Sequence, residues 1–360
     1  GTFNMYGGTV SNGQARGAYF EKTDAEGNTE LTPMASYGGN IFAGSSATVN
    51  IMGGTVSGGE AVPGVRDIVN EDGSVSYGKT GRYGGNIYVG SSSAVLNVTG
   101  GTITGGKAYR GGNIYSYGTN TFSGAVITSG VAERYGGNIY ASSGTWLFDG
   151  GTQILNGFAG TDTGVGYGGN FYVTGGEITL KRVTVDGGVS SGYGGNIYIY
   201  RNKADNVVNI YDGALIQNGT ANNSGGNIYV TGMYYDSSAG GYVYDENGQP
   251  YLPTLNIMGG KILNGICDSQ ATGTRYGGNI YCAGNLNISG GEIVGGTSTG
   301  NGGGLEIGFN NKYLMDALKA APADRVRLEL STGVSPCVIL PAEGEQNFIY
   351  MVLPVRIKNG

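Results

Sequence analysis

The chain has 360 residues, 74 of them glycine, with 13% charged residues and a formal net charge of −6. An acidic chain without a basic run argues against nucleic acid and anionic membrane surfaces as partners, and no run of about 18 apolar residues is present to span a bilayer. The absence of histidine excludes Ser-His-Asp and Cys-His catalysis and every His-ligated metal.

The glycine is periodic rather than low-complexity. Eight copies of Gly-Gly-Asn-(Ile/Phe)-(Tyr/Phe) place asparagine at Asn40, Asn86, Asn113, Asn138, Asn170, Asn196, Asn227 and Asn279. A degenerate ninth copy follows at Gly302–Ile307. A unit of about 25 residues at its shortest marks a repeat architecture. The chain opens inside a repeat, which points to sequence upstream.

Within each unit, short apolar runs alternate at period two and are separated by glycine pairs. One unit reads Asn86–Val89, Val95–Val98 and Thr102–Thr104. This pattern predicts three strands per turn of the chain. Equivalent strands of successive turns then pair in parallel. The expected fold is all-β: a right-handed parallel β-helix, a three-strand solenoid, over residues 1–308. Three inserts, 13–36, 60–82 and 231–253, read as hairpins with acidic, Gly-containing turns. After residue 308 glycine survives only at Gly333, Gly344 and Gly360. There the sequence predicts a helix over 312–321 and strands near 326–330, 338–340 and 348–353. Residues 309–360 thus read as a small α/β C-terminal cap or the start of a following domain.

Alternation also assigns faces. The residues flanking the tyrosine of each repeat are apolar and should point inward. Tyr88, Tyr115, Tyr140, Tyr172, Tyr198, Tyr229 and Tyr281, with Phe42, should then form an outward column of roughly 35 Å. Stacked rings stabilise a sheet. They also offer a rigid face with a polar tip to an extended ligand, which makes these tyrosines the binding candidates. A second aromatic column, Tyr37, Tyr83, Tyr135, Tyr167, Tyr193 and Tyr276, precedes the glycine pairs. The repeated asparagine reads as a structural amide ladder at a corner.

Catalytic constellations are sparse. Glycoside hydrolysis needs two carboxylates on one face. Asp186 and Asp212 on consecutive turns, with Lys181 and Arg182 nearby, are the best available cluster. Each Asp also precedes a glycine, where Asp is a common turn residue. No cofactor and no metal site is expected. Cys267, Cys282 and Cys337 form no disulfide framework; Cys282 sits at an inward position, and a Cys267–Cys282 pairing across neighbouring turns stays open.

The Gly-Gly-Asn-Ile-Tyr repeat, with Asn-Ile-x-Gly-Gly after it, resembles the repeats of bacterial surface β-helix adhesins. It is similar to the Gly-Gly-Ala-Ile motif of chlamydial polymorphic outer membrane proteins, although Asn replaces Ala throughout and the companion Phe-x-x-Asn motif is absent. The resemblance implies an exported rod at the cell surface or secreted, acting in adhesion or recognition without catalysis. Its partners would be an extracellular glycan or a protein surface. The alternatives are a polysaccharide-degrading lyase or hydrolase using the Asp186 cluster, and a structural spacer or filament subunit that associates side by side or end to end.

Overall fold

In the computed structural model, the described residues are 1–352 except 24, 28, 64–66, 70–74, 78–80, 163, 201–205, 234, 238–239, 268–274, 301–304, 307–310, 322–325, 330–336 and 342–348. Successive repeats lay their strands in parallel on the strands of the repeat before. Ile87–Val89 pairs with Ile114–Ser116, residue for residue, and that strand pairs with Ile139–Ala141. The outcome is three wide sheets of 16, 11 and 9 strands.

The chain does not build the expected three-strand β-helix solenoid; its sheets are wide and multi-stranded. Each repeat contributes four strands, as in Ile87–Val89, Val95–Val98, Thr102–Thr104 and Lys107–Arg110. The second and third strands belong to one 16-stranded sheet. In Thr254–Leu263 and Asn285–Val294 they fuse into single ten-residue strands that run through the glycine pairs. The fourth strand escaped the period-two reading because it is short and buries one small side chain per repeat. Those side chains are Ala61, Ala108, Ala132, Ala159, Ser190 and Ala221. Two to five residues around an alanine show no alternation and read as a polar turn.

The core lies between the sheets. It is filled by Ile87, Val89, Leu96, Val98 and Ile103, all fully buried, and by their equivalents in later repeats, of which Ile288 and Ile293 in the last are partly buried. The widest side chains gather in two consecutive repeats, where Phe122 stacks on Phe148 with centroids 4.6 Å apart. Trp146 joins them and donates its indole N–H to the Ser143 carbonyl.

The corners explain the glycine and asparagine. The corner before the fourth strand needs a left-handed residue in every repeat. It is Asn12, Ser129, Asn156, Asn218 or Asn264 in some and Gly58, Gly105, Gly187 or Gly295 in others. In the motif itself, a Cβ on Gly137 would lie 2.1 Å from the Gly169 carbonyl oxygen of the next repeat. The asparagines form an unbroken amide ladder through all eight copies. Asn113 Nδ2 donates to Asn138 Oδ1 at 2.7 Å and to the Thr128 carbonyl at 2.8 Å, while its Oδ1 accepts from Gly106 N and Asn86 Nδ2.

Each insert carries an antiparallel pair: Tyr19–Thr23 with Thr29–Pro33, Asp67–Val69 with Val75–Tyr77, and Tyr235–Asp236 with Gly241–Tyr242. In the third insert, Asp245 accepts from the backbone N–H groups of Asn247 and Gln249 and so closes a turn. Near the C-terminus a helix, Asn311–Ala320, is followed by the antiparallel strands Val326–Glu329, Cys337–Pro341 and Tyr350–Val352. Cys337, Ile339 and Val352 form a small separate core against Ala317, Leu318 and Tyr350. No described helix is long and apolar enough to cross a membrane.

Candidate functional site

The tyrosine column forms on the outer side of the nine-stranded sheet, but it is not an exposed track. Tyr88, Tyr115, Tyr140, Tyr172, Tyr198 and Tyr281 are all under 9% exposed, and Tyr229 is half-buried. Alternation gives direction and not depth, so what lies over an outward side chain was not visible to it. Here the second column folds over the first. Tyr135 lies 4.7 Å from Tyr172, and Tyr193 lies 4.9 Å from Tyr229, ring centroid to ring centroid.

Within the first column the rings stack nearly flat. Centroids are 4.6 Å apart for Tyr115–Tyr140, 5.2 Å for Tyr172–Tyr198 and 4.7 Å for Tyr229–Tyr281. The faces of these rings are therefore used by one another. Two positions of the second column are not aromatic. Ser224 stands between Tyr193 and Tyr276, and Arg110 between Tyr83 and Tyr135. The Arg110 guanidinium lies 5.2 Å from the Tyr83 ring and 5.6 Å from the Tyr135 ring, and it donates to the Tyr83 hydroxyl at 3.0 Å. It thus fills the missing ring's place by cation–π contact. Arg134 continues the arrangement over Tyr135 and Tyr167, and Arg82 is paired with Glu133.

Burial shifts the phenols. The Tyr140 hydroxyl is pushed up to about 12 by desolvation, against the lowering effects of its hydrogen bond to Thr174 and of nearby Arg110. Tyr88, Tyr115 and Tyr172 are raised for the same first reason. The Tyr115 hydroxyl donates to the Tyr117 hydroxyl at 3.0 Å, with Ser142 Oγ a second partner of the same oxygen at 3.2 Å.

The acidic cluster does not assemble. Asp186 ends its strand opposite Gln217 and accepts from Gln217 Nε2 and Asn218 Nδ2 at 2.8 and 2.9 Å. Asp212 lies in the turn before the next repeat's strand, where its carboxylate takes a 3.4 Å bond from Gly260 N. Arg182 makes a two-pronged pair with Asp149 at 2.7 and 2.8 Å, which holds the Asp149 carboxyl below the usual carboxylate range. Lys181 sits over the Tyr211 ring. Asp186 and Asp212 therefore occupy opposite ends of the strand position, and the two cations are engaged elsewhere. Among the described residues no group of three or more acidic or Cys side chains is placed to hold a metal. Cys267, Cys282 and Cys337 are buried thiols, the first donating to the Asn223 carbonyl, so the open Cys267–Cys282 pairing is not made.

The fold so far defines an all-β protein of wide parallel sheets with a separate helix-and-sheet unit after it. Comparison with known proteins bears on that last unit. The family described as DNA polymerase III beta subunit, C-terminal domain, matches residues 289–356. A beta sliding clamp of Synechocystis is 41% identical over 68 residues, which is 19% of this chain and 17% of that protein. A beta sliding clamp of Staphylococcus aureus is 42% identical over 55 residues, 15% of this chain and 14% of that protein. The chain thus spans about a sixth of the length of these curated relatives, and residues 1–288 lie outside the match. No solved structure is a significant match.

These matches overturn several expectations. Over residues 289–356 the chain is similar to the sliding clamp, and not to the surface adhesins resembled by the Gly-Gly-Asn-Ile-Tyr repeat. Adhesion to an extracellular glycan or protein surface, with its two alternatives, loses its basis, and so does the cell-surface or secreted location. The family match covers most of the segment expected to be a cap or the start of a following domain. The exclusion of nucleic acid is also withdrawn: net charge averages over the whole chain and does not speak for a short segment related to a DNA polymerase subunit. Composition did register a change near residue 308, whereas the match begins earlier, at residue 289, inside the last glycine-paired strand.

Proposed function

We propose that the chain acts together with a DNA polymerase III-type machine, through a sliding-clamp-like C-terminal module. The observation that carries this reading is the 41% identity over 68 residues to a beta sliding clamp. It is supported by the module's own small core, with Ile339 fully buried against the helix and Tyr350 donating to the Ala320 carbonyl. A sixth of a sliding clamp is not a clamp, so the module works as a docking piece on another chain of that machine. The repeats, 1–308, are the body that carries it, and 309–360 hold the docking unit. The matched segment begins at residue 289, inside the last long strand, so the two parts share the strands at their junction.

The test uses the full chain fixed to a sensor surface, with purified DNA polymerase III subunits passed over it, with and without primed DNA. Saturable retention of a polymerase subunit is expected, and Ile339→Asp should abolish it by placing a charge in the module's core. Absence of retention for every subunit would sink the reading.

A further inference from the structure

The unusual feature of the tyrosine wall is chemical as much as structural. A wall needed only for packing would be served by phenylalanine, which carries no hydroxyl to bury. Yet seven of the first column's eight rings are tyrosine, and the phenylalanine, Phe42, lies in the outermost repeat. The rings are also continuous. From Tyr88 each ring meets the next at centroid distances of 5.4, 4.6, 5.0, 5.2, 5.2 and 4.7 Å, ending at Tyr281. Tyr37 and Tyr83 stack at 5.3 Å and join the path at Tyr88, and Tyr276 joins it at Tyr281.

We propose that these two columns conduct a one-electron oxidation along the stack of repeats, from the Tyr37–Tyr88 end to the Tyr276–Tyr281 end. Phenol is an oxidisable ring, and rings in van der Waals contact exchange electrons readily. The step balances with an oxidant of the photo-oxidised metal-complex class. The oxidant gains one electron; Tyr37, which is exposed, loses one and gives its phenolic proton to water. The resulting radical then takes an electron from the next ring together with the phenolic proton that ring loses, which restores the first phenol and leaves a neutral radical one ring further along. Inside the wall the Tyr115 hydroxyl can pass its proton along its hydrogen bond to Tyr117 as Tyr117, half-buried and nearer to solvent, hands its own hydroxyl proton to water. The backbone on either side is fixed by the amide ladder, so ring spacing varies little from repeat to repeat.

The test tethers a ruthenium polypyridyl photo-oxidant to Ser45→Cys, an exposed site beside Phe42, since the native cysteines are buried. After a flash with an external electron acceptor, radical sites are captured with a nitroso spin trap and located by peptide mass spectrometry. Adducts are expected at Tyr37 and at the distant, half-buried Tyr276. In the variant Tyr135→Phe/Tyr140→Phe/Tyr167→Phe/Tyr172→Phe the gap between oxidisable rings grows to three repeat spacings, roughly 14 Å, and the Tyr276 adduct should fall about ten-fold while Tyr37 is unchanged. If that variant folds poorly, Tyr167→Phe/Tyr172→Phe opens a gap of two spacings and should lower the Tyr276 adduct in the same direction. A Tyr276 adduct that is absent in the native sequence, or equal in the folded variants, overturns the proposal.

Discussion

At the residue scale the repeat is held by groups that tolerate no substitute. Asn138 Oδ1 accepts from Gly130 N at 2.9 Å and from Asn113 Nδ2 at 2.7 Å, and its Nδ2 donates to the Leu155 carbonyl and to Asn170 Oδ1. Asn138→Ala leaves several buried polar groups unpaired at once. At roughly 1–3 kcal/mol for an orphaned buried group, the loss should reach about 3 kcal/mol or more. Chemical denaturation should show it as a lowered midpoint, and a shift of a few tenths of a kcal/mol would contradict the ladder's role. Gly137→Ala should be at least as damaging, because its Cβ would lie 2.1 Å from one backbone atom and 2.3 Å from another. Gly7→Ala is the control, with nothing within 4 Å of the added carbon, and should stay within about 0.5 kcal/mol of the parent.

At the element scale much of the arrangement was legible. Ile87, Val89, Leu96 and Ile103 point inward as alternation requires, and the first two inserts carry antiparallel pairs where acidic turns marked them, while in the third the pair precedes the acidic turn, whose arms meet at a single Tyr244–Pro250 bridge. Two things were not legible. The fourth strand hides because a buried alanine such as Ala132 or Ala159 leaves no hydrophobic period. The depth of the tyrosines hides because Tyr135 and Tyr167 cover Tyr172 through contacts that join different repeats and that no local pattern records. That burial has a consequence at high pH. Tyr140 is raised to about 12 in the folded chain, while an unfolded tyrosine titrates near about 10. Folding therefore favours the neutral phenol. Its contribution is complete below about pH 10 and is lost as pH climbs toward about 12. The melting temperature should stay level up to about pH 9.5 and then fall steeply, with phenolate absorbance rising in step with unfolding. Smooth ionisation of these phenols near pH 10 in a still-folded chain would show that the wall is open to solvent.

At the scale of the whole molecule the two parts are built on different physics, and this separates their failures. The repeats are stabilised by nearest-neighbour contacts between successive units, so damage is local to a few repeats. The C-terminal unit has its own core of Cys337, Ile339 and Val352, and the amide ladder reaches the matched segment at its first strand, where Asn279 donates to the Val294 carbonyl. The likeness to the clamp family spans 289–356 and so straddles the end of the repeats, where the fading glycine phrase drew the reading to a boundary near 308 instead. Ile339→Asp should therefore leave the parallel-sheet circular dichroism and the alkaline transition of the repeats unchanged while removing retention of DNA polymerase III subunits. Asn138→Ala should do the reverse, weakening the repeats and sparing retention. If Ile339→Asp lowers the midpoint of the repeats as well, the two parts fold as one unit. If Asn138→Ala abolishes retention, the docking surface extends onto the repeats and the C-terminal unit is not sufficient for it.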